Sequence, residues 1–158
     1  MFGRCRVESA WLLGAGICSV AVAVLHVVVI VVGAQAYRYF GAGEQLAGLA
    51  EHGSPIPALV TAGIVVVFAV FGWYGFAGAG LGARPPALRW ALVCVSGIAL
   101  ARGLPVVPQV AVLATHPSPV AQREVVFSSA SLLLGLLYAV GTWRRWNWLR
   151  EVPTSAHG

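Results

Sequence analysis

Apolar residues run along this chain in four long stretches, separated by short segments where polar and helix-breaking residues collect. The stretches are residues 11–32, 58–80, 88–107 and 125–143. Each is near the twenty or so apolar residues that a helix needs to cross a hydrocarbon core of about 30 Å. The pattern predicts an all-α integral membrane protein of four transmembrane helices packed as an antiparallel bundle. It forms one membrane domain, with outer loops at 33–57 and 108–124.

The first stretch follows Arg4 and Arg6, and Ala34, Gln35 and Ala36 beyond it imitate a signal-peptide cleavage site. Its apolar core is longer than the roughly 7–15 residues of such a peptide, and further spans follow, so an uncleaved helix is expected. The loop after it holds Tyr37, Arg38, Tyr39, Phe40, Glu44, Glu51 and His52. Within it, 44–51 reads as a short helix between Gly43 and Gly53 with both glutamates on one face. That helix is either an interfacial cap or a solvated loop. Ser54 and Pro55 mark the start of the second span, since a first-turn proline has no amide hydrogen to leave unpaired. Gly72, Gly75, Gly78 and Gly80, with Ala77 and Ala79, give its far half a small-residue surface suited to close helix contact in lipid. The third span ends near Pro105 and Pro108. The fourth is closed by 142–151, TWRRWNWLRE, a tail of arginines beside tryptophans that suits the headgroup boundary.

Composition sharpens this picture. Hydrophobic residues make up 59% of the 158, and charged ones only 9%, against about a quarter in ordinary soluble domains. A net charge of +5 is then a topology signal, not nucleic-acid affinity. Arginines concentrate at the amino terminus, the 82–89 turn and the carboxyl tail, which places both termini in the cytoplasm. A bacterial inner membrane is the expected location, with membrane lipids as the first partners. Cys5, Cys18 and Cys94 form no CxxC pair, which argues against thiol oxidoreductase chemistry. Haem would need axial ligands on facing helices, and only His26 lies inside a span. No ligand spacing supports a metal, no motif supports a catalytic residue, and no glycine loop has the strand and lysine context that phosphate binding requires. The four-span layout is shared by several families of small bacterial membrane proteins, and no motif here carries over a residue or an activity.

One charge lies within a span. Arg102 sits about 7 Å beyond the midpoint of the third stretch at about 1.5 Å per residue, and such a residue costs roughly 2.5–3.5 kcal/mol unless partnered. His26 falls at the same level of the first stretch. In the fourth, Glu124, Ser128, Ser131, Gly135, Tyr138 and Thr142 recur at helical spacing on one face. The expectation is that these faces turn inward around Arg102, with Glu124, or Glu44 from the loop, as counter-ion. His26, Ser128 and Ser131 would line an outward-facing pocket that binds or transports a small anionic or amphipathic molecule. Against this stand plainer readings: hydroxyls bonded to carbonyls one turn back, an interhelical histidine contact, and an arginine that snorkels. The runner-up function is an accessory or assembly subunit of a larger membrane complex or homo-oligomer, without chemistry of its own; a membrane-embedded enzyme comes third. The orientation predicts that single cysteines introduced by His52→Cys and Ala156→Cys label from opposite sides of intact cells; labelling of both from outside overturns it.

Overall fold

The structure, a computed structural model, describes residues 2–150, with side chains from residue 9 onward. The side chains of Arg4, Cys5 and Arg6, and the tail from Glu151 that includes Ala156, lie outside the described residues. The described chain is helical, with no strand in it. Its elements are α1 (Phe2–Val32), α2 (Ala34–Tyr39), α3 (Glu44–Glu51), α4 (Ile56–Ala79), α5 (Leu88–Gly103), α6 (Val106–Thr115), α7 (Pro119–Arg144) and α8 (Trp146–Arg150). Four segments are long and apolar enough to cross a membrane: Ser9–Val32, Ile56–Ala79, Leu88–Thr115 and Pro119–Arg144.

The stops follow local chemistry. α1 ends where Gly33 adopts φ +75, and α4 ends where Gly80 adopts φ +92, a region that glycine enters without the Cβ clash other residues meet. α7 starts at an extended Ser118, whose hydroxyl accepts the Ala121 amide at 3.1 Å, followed by Pro119 in the first turn. The sequence pattern places α3 at its observed limits. It does not foresee, however, that the 108–124 connection is largely helical. The chain resumes as α6 after Pro105, and only 116–118 separate α6 from α7. The prolines permit this because Pro105 has helical φ −58, ψ −11 at the cap and Pro108 falls in the first turn of α6. First-turn amides have no intrahelical acceptor, so a proline there loses nothing.

The chain forms two compact units, one comprising residues up to Gly16 together with those from Trp73 onward, the other Ile17–Gly72. In the first, Leu12 of α1, Ala77 of α4, Leu92, Val95 and Ala99 of α5, and Leu134 and Tyr138 of α7 are buried. Glycines set the approach distances. A Cβ placed on Gly103 would lie 2.5 Å from the Leu132 Cα, and one on Gly135 would lie 2.7 Å from the Leu100 amide nitrogen. These two contacts run in opposite sequence order along α5 and α7. A Cβ on Gly75 would meet the Gly16 Cα at 2.8 Å, one on Gly78 the side chains of Leu92 and Leu12, and one on Gly141 the side chain of Leu12. Backbones this close gain dispersion contacts that lipid tails, lying against a bulkier surface, cannot supply.

In the second unit Val29, Ala36, Tyr37 and Ala47 form a small core, with Phe40 and Ala50 against it. The buried Thr61 donates to the Pro57 carbonyl at 2.8 Å and lies 3.2 Å from the Tyr37 hydroxyl. With its one proton committed to an oxygen that can only accept, Thr61 serves Tyr37 as acceptor. The Tyr37 phenol thereby keeps a partner inside the core.

Gly103→Ala is expected to destabilise the chain by about 1–3 kcal/mol, the usual range for forcing a methyl into a filled contact. Gly63→Ala, where nothing lies within 4 Å, should be neutral or slightly stabilising; reversible unfolding in bicelles measures both.

Candidate functional site

Arg102 is in the last turn of α5, where the helix gives way at Leu104 and Pro105 to α6. Its immediate neighbour Gly103 is pressed against Leu132, yet Arg102 itself is exposed. Among the described residues it makes no hydrogen bond and no ion pair. Glu124, half-buried in α7, likewise pairs with nothing. The expected Arg102–Glu124 ion pair is therefore not formed. The reason is register: the Gly103–Leu132 and Leu100–Gly135 contacts set Arg102 level with residues near 133, about nine residues from Glu124 along α7.

The periodic face of α7 is buried as its spacing implies, with Ser128, Gly135, Tyr138 and Thr142 all inside. Its hydroxyls behave differently from one another. Ser131 donates to the Phe127 carbonyl at 2.9 Å, the one-turn-back bond that satisfies a serine in an apolar setting. Ser128 is fully buried and its hydroxyl meets no partner; the same holds for the Thr142 hydroxyl and for Oε1 of Gln109 on α6.

His26 and Glu44 belong to the second unit. His26 Nδ1 lies 2.8 Å from the Val22 carbonyl, which can only accept, so that nitrogen carries the proton. The ring stacks on Phe68 with centroids 5.8 Å apart. This is a satisfied contact between α1 and α4 of the kind given as the plainer reading of a membrane histidine. Glu44 is engaged by Arg38, whose Nε and Nη2 donate to Glu44 Oε1 at 3.0 and 2.9 Å, while Nη1 donates to Glu51. Both glutamates of the α3 face thus converge on one guanidinium from α2. Hydrogen bonding to Arg38 holds the Glu51 carboxyl below its ordinary range, and the charges of Arg38 and His52 act the same way. The guanidinium is held above its own ordinary value in return, chiefly by the hydrogen bonds it donates to Glu51 and Glu44.

A groove that the sequence does not announce lies in the first unit. It is an open depression with a volume of about 450 Å³, lined by Val93, Ser96, Ala139, Thr142, Trp143 and Trp146. Ser96 donates to the Leu92 carbonyl at 2.8 Å, while the buried Thr142 hydroxyl has no partner among the described residues. Arginines and tryptophans gather around it. Arg89 stands 4.8 Å from the ring centroids of both Trp90 and Trp146, and those two rings meet edge to face at 6.3 Å. Arg84 and Arg145 stand 3.8 and 3.7 Å from the Trp148 ring, and Arg144 stands 5.5 Å from Trp11. Arg145 also donates to the Gly78 carbonyl at 2.7 Å, one of the four carbonyls that the end of α4 leaves without an intrahelical donor. Each cation–π contact is worth about 0.5–2 kcal/mol, so together these contacts contribute to holding this end.

No group of three or more histidine, cysteine, aspartate or glutamate side chains among the described residues is placed to hold a metal. Comparison with known proteins found no matching family model, no similar curated protein and no similar solved structure. In the sequence, the one trace of the groove is Thr142, which ends the polar face of α7 directly before Trp143.

Because the Glu51 carboxyl is lowered in the folded chain, the stability it contributes is complete above the ordinary carboxylate range and is lost as pH falls through the lowered value. Hydrogen exchange over residues 44–51, corrected for intrinsic rate, is expected to quicken over that acid interval. In Arg38→Gln the segment should exchange faster already at neutral pH, and the acid step attributable to Glu51 should shrink.

Proposed function

We propose that the chain is a multi-pass protein of a bacterial inner membrane, its four spans antiparallel and both termini cytoplasmic. We further propose that it serves as an accessory subunit, docking laterally on a membrane helix of another protein. The observation that carries this reading is the state of Arg102: charged, within an apolar span, exposed, and without a partner among the described residues. Insertion of such a side chain costs roughly 2.5–3.5 kcal/mol, and arginines in spans are normally paired. A carboxylate on a neighbouring helix removes that cost, and a bidentate arginine–carboxylate pair fixes the register as well.

The surface around Arg102 suits a helix. Cys94, Gly97, Ile98, Ala101 and Arg102 are all exposed and fall on one face of α5 at intervals of three and four residues. Gly97 has nothing within 4 Å of where its Cβ would lie, and Gly97 with Ala101 gives the small-xxx-small spacing that lets helix backbones approach. The alternative, an outward-facing pocket holding a small anion at Arg102, draws less support, because Glu44 is taken by Arg38 and Ser131 by its own helix.

A photo-crosslinking residue in place of Gly97 should capture a discrete protein adduct in cells, and one in place of the exposed Val66 of α4 should not. Breaking a buried ion pair costs about 3–5 kcal/mol, more than a hundredfold in affinity, so Arg102→Glu is expected to abolish the adduct and Arg102→Lys to keep it. An adduct undiminished in Arg102→Glu, or adducts with lipid alone, would overturn the docking reading.

A further inference from the structure

We infer that the groove between α5 and the α7–α8 end is a binding site for an anionic phospholipid of the surrounding leaflet, with one acyl chain in the groove and the phosphate at Arg89. Three independent features converge on that occupant. The walls are apolar, and Val93, Trp143 and Ala139 leave the groove open on the side of the span: Trp143 is 81% exposed and Val93 39%. Exposed apolar surface on a membrane span faces acyl chains, so the occupant enters from the lipid and not from water.

The second feature is a hydrogen-bond donor with nothing to bond. Thr142 is 4% exposed and lines the groove, and its Oγ1, buried just beneath the wall, has no partner among the described residues. A hydroxyl left so costs stability that an ester carbonyl would restore. Thr142 adjoins Trp143, and tryptophans mark the headgroup boundary, the level at which the glycerol esters of a phospholipid lie. The depth of the donor thus matches the depth of the acceptor.

Charge is the third. Trp146 is shared: it lines the groove, and the Arg89 guanidinium stands 4.8 Å from its ring. Arg89 and Arg144 meet aromatic faces and no carboxylate among the described residues. A guanidinium on an aromatic face keeps its edge donors available, and a phosphate accepts them in pairs. A zwitterionic lipid would meet the same groove but would bring its own cation beside Arg89.

The experiment is native mass spectrometry of the full chain from nanodiscs of equal phosphatidylglycerol and phosphatidylcholine. Retained phosphatidylglycerol should exceed phosphatidylcholine by about fivefold, the scale of one basic residue near an anionic surface. Arg89→Gln should erase the preference and Arg89→Lys preserve it. Thr142→Val should cut total retained lipid about three- to tenfold, the value of one hydrogen bond, and Thr142→Ser should restore it; helix content by circular dichroism confirms that each variant folds. Bound lipid that mirrors the bulk ratio, or retention unchanged in both Arg89→Gln and Thr142→Val, overturns the assignment. A second arm adds dodecyl phosphate to pure phosphatidylcholine discs. If this single-chain anion is retained through Thr142 while phosphatidylglycerol shows no preference, the groove serves free amphiphiles, and the phospholipid assignment falls.

Discussion

Helix contact through glycine is the constraint on which the rest of this protein depends. In lipid there is no water to be driven from between two apolar helices, so association rests on dispersion and short polar contacts, both of which fall away within about an ångström of lost fit. Gly103 against Leu132, Gly135 against Leu100 and Gly75 against Gly16 bring backbones together where no other residue fits without a shift. The α5–α7 pairing that results fixes a register. The register then decides which polar groups are buried, which face outward, and where a groove is left.

Arg102 shows how the register acts on a charged side chain. It directly precedes Gly103, the tightest glycine contact in the first unit, and a helix turns about 100° between neighbours. The face that buries Gly103 necessarily carries Arg102 to the side. A charge placed there by packing points away from the helix it is packed against. Glu124, the acid in the same unit with a described side chain, is held too far along α7 to follow.

The arginine-rich end works by a different balance. Its arginines stand over four tryptophan rings, a pairing of residue types that suits a headgroup boundary. Arg145 ties the end of α4 to α7 through the Gly78 carbonyl, so the same residues that present charge also close helix ends. At the Arg38 clasp the opposite holds: two carboxylates consume one guanidinium, and the charge there is spent on joining α2 to α3.

The sequence alone determined what depends on local pattern. Four apolar runs gave the four candidate spans, the seven-residue spacing of Glu44 and Glu51 gave a shared face on a helix with the observed limits, and the polar stripe of α7 gave the face that is buried. Those features follow from helix period and from the free energy of apolar transfer, which each segment carries by itself. The tertiary structure alone decided what depends on register between segments. It turned Arg102 outward, gave Glu44 to Arg38, continued the third span past Pro105, and set Thr142 against Val93 and Ser96 to leave a groove. Small residues are compatible with many sliding offsets, and only the sum of contacts along two whole helices selects one.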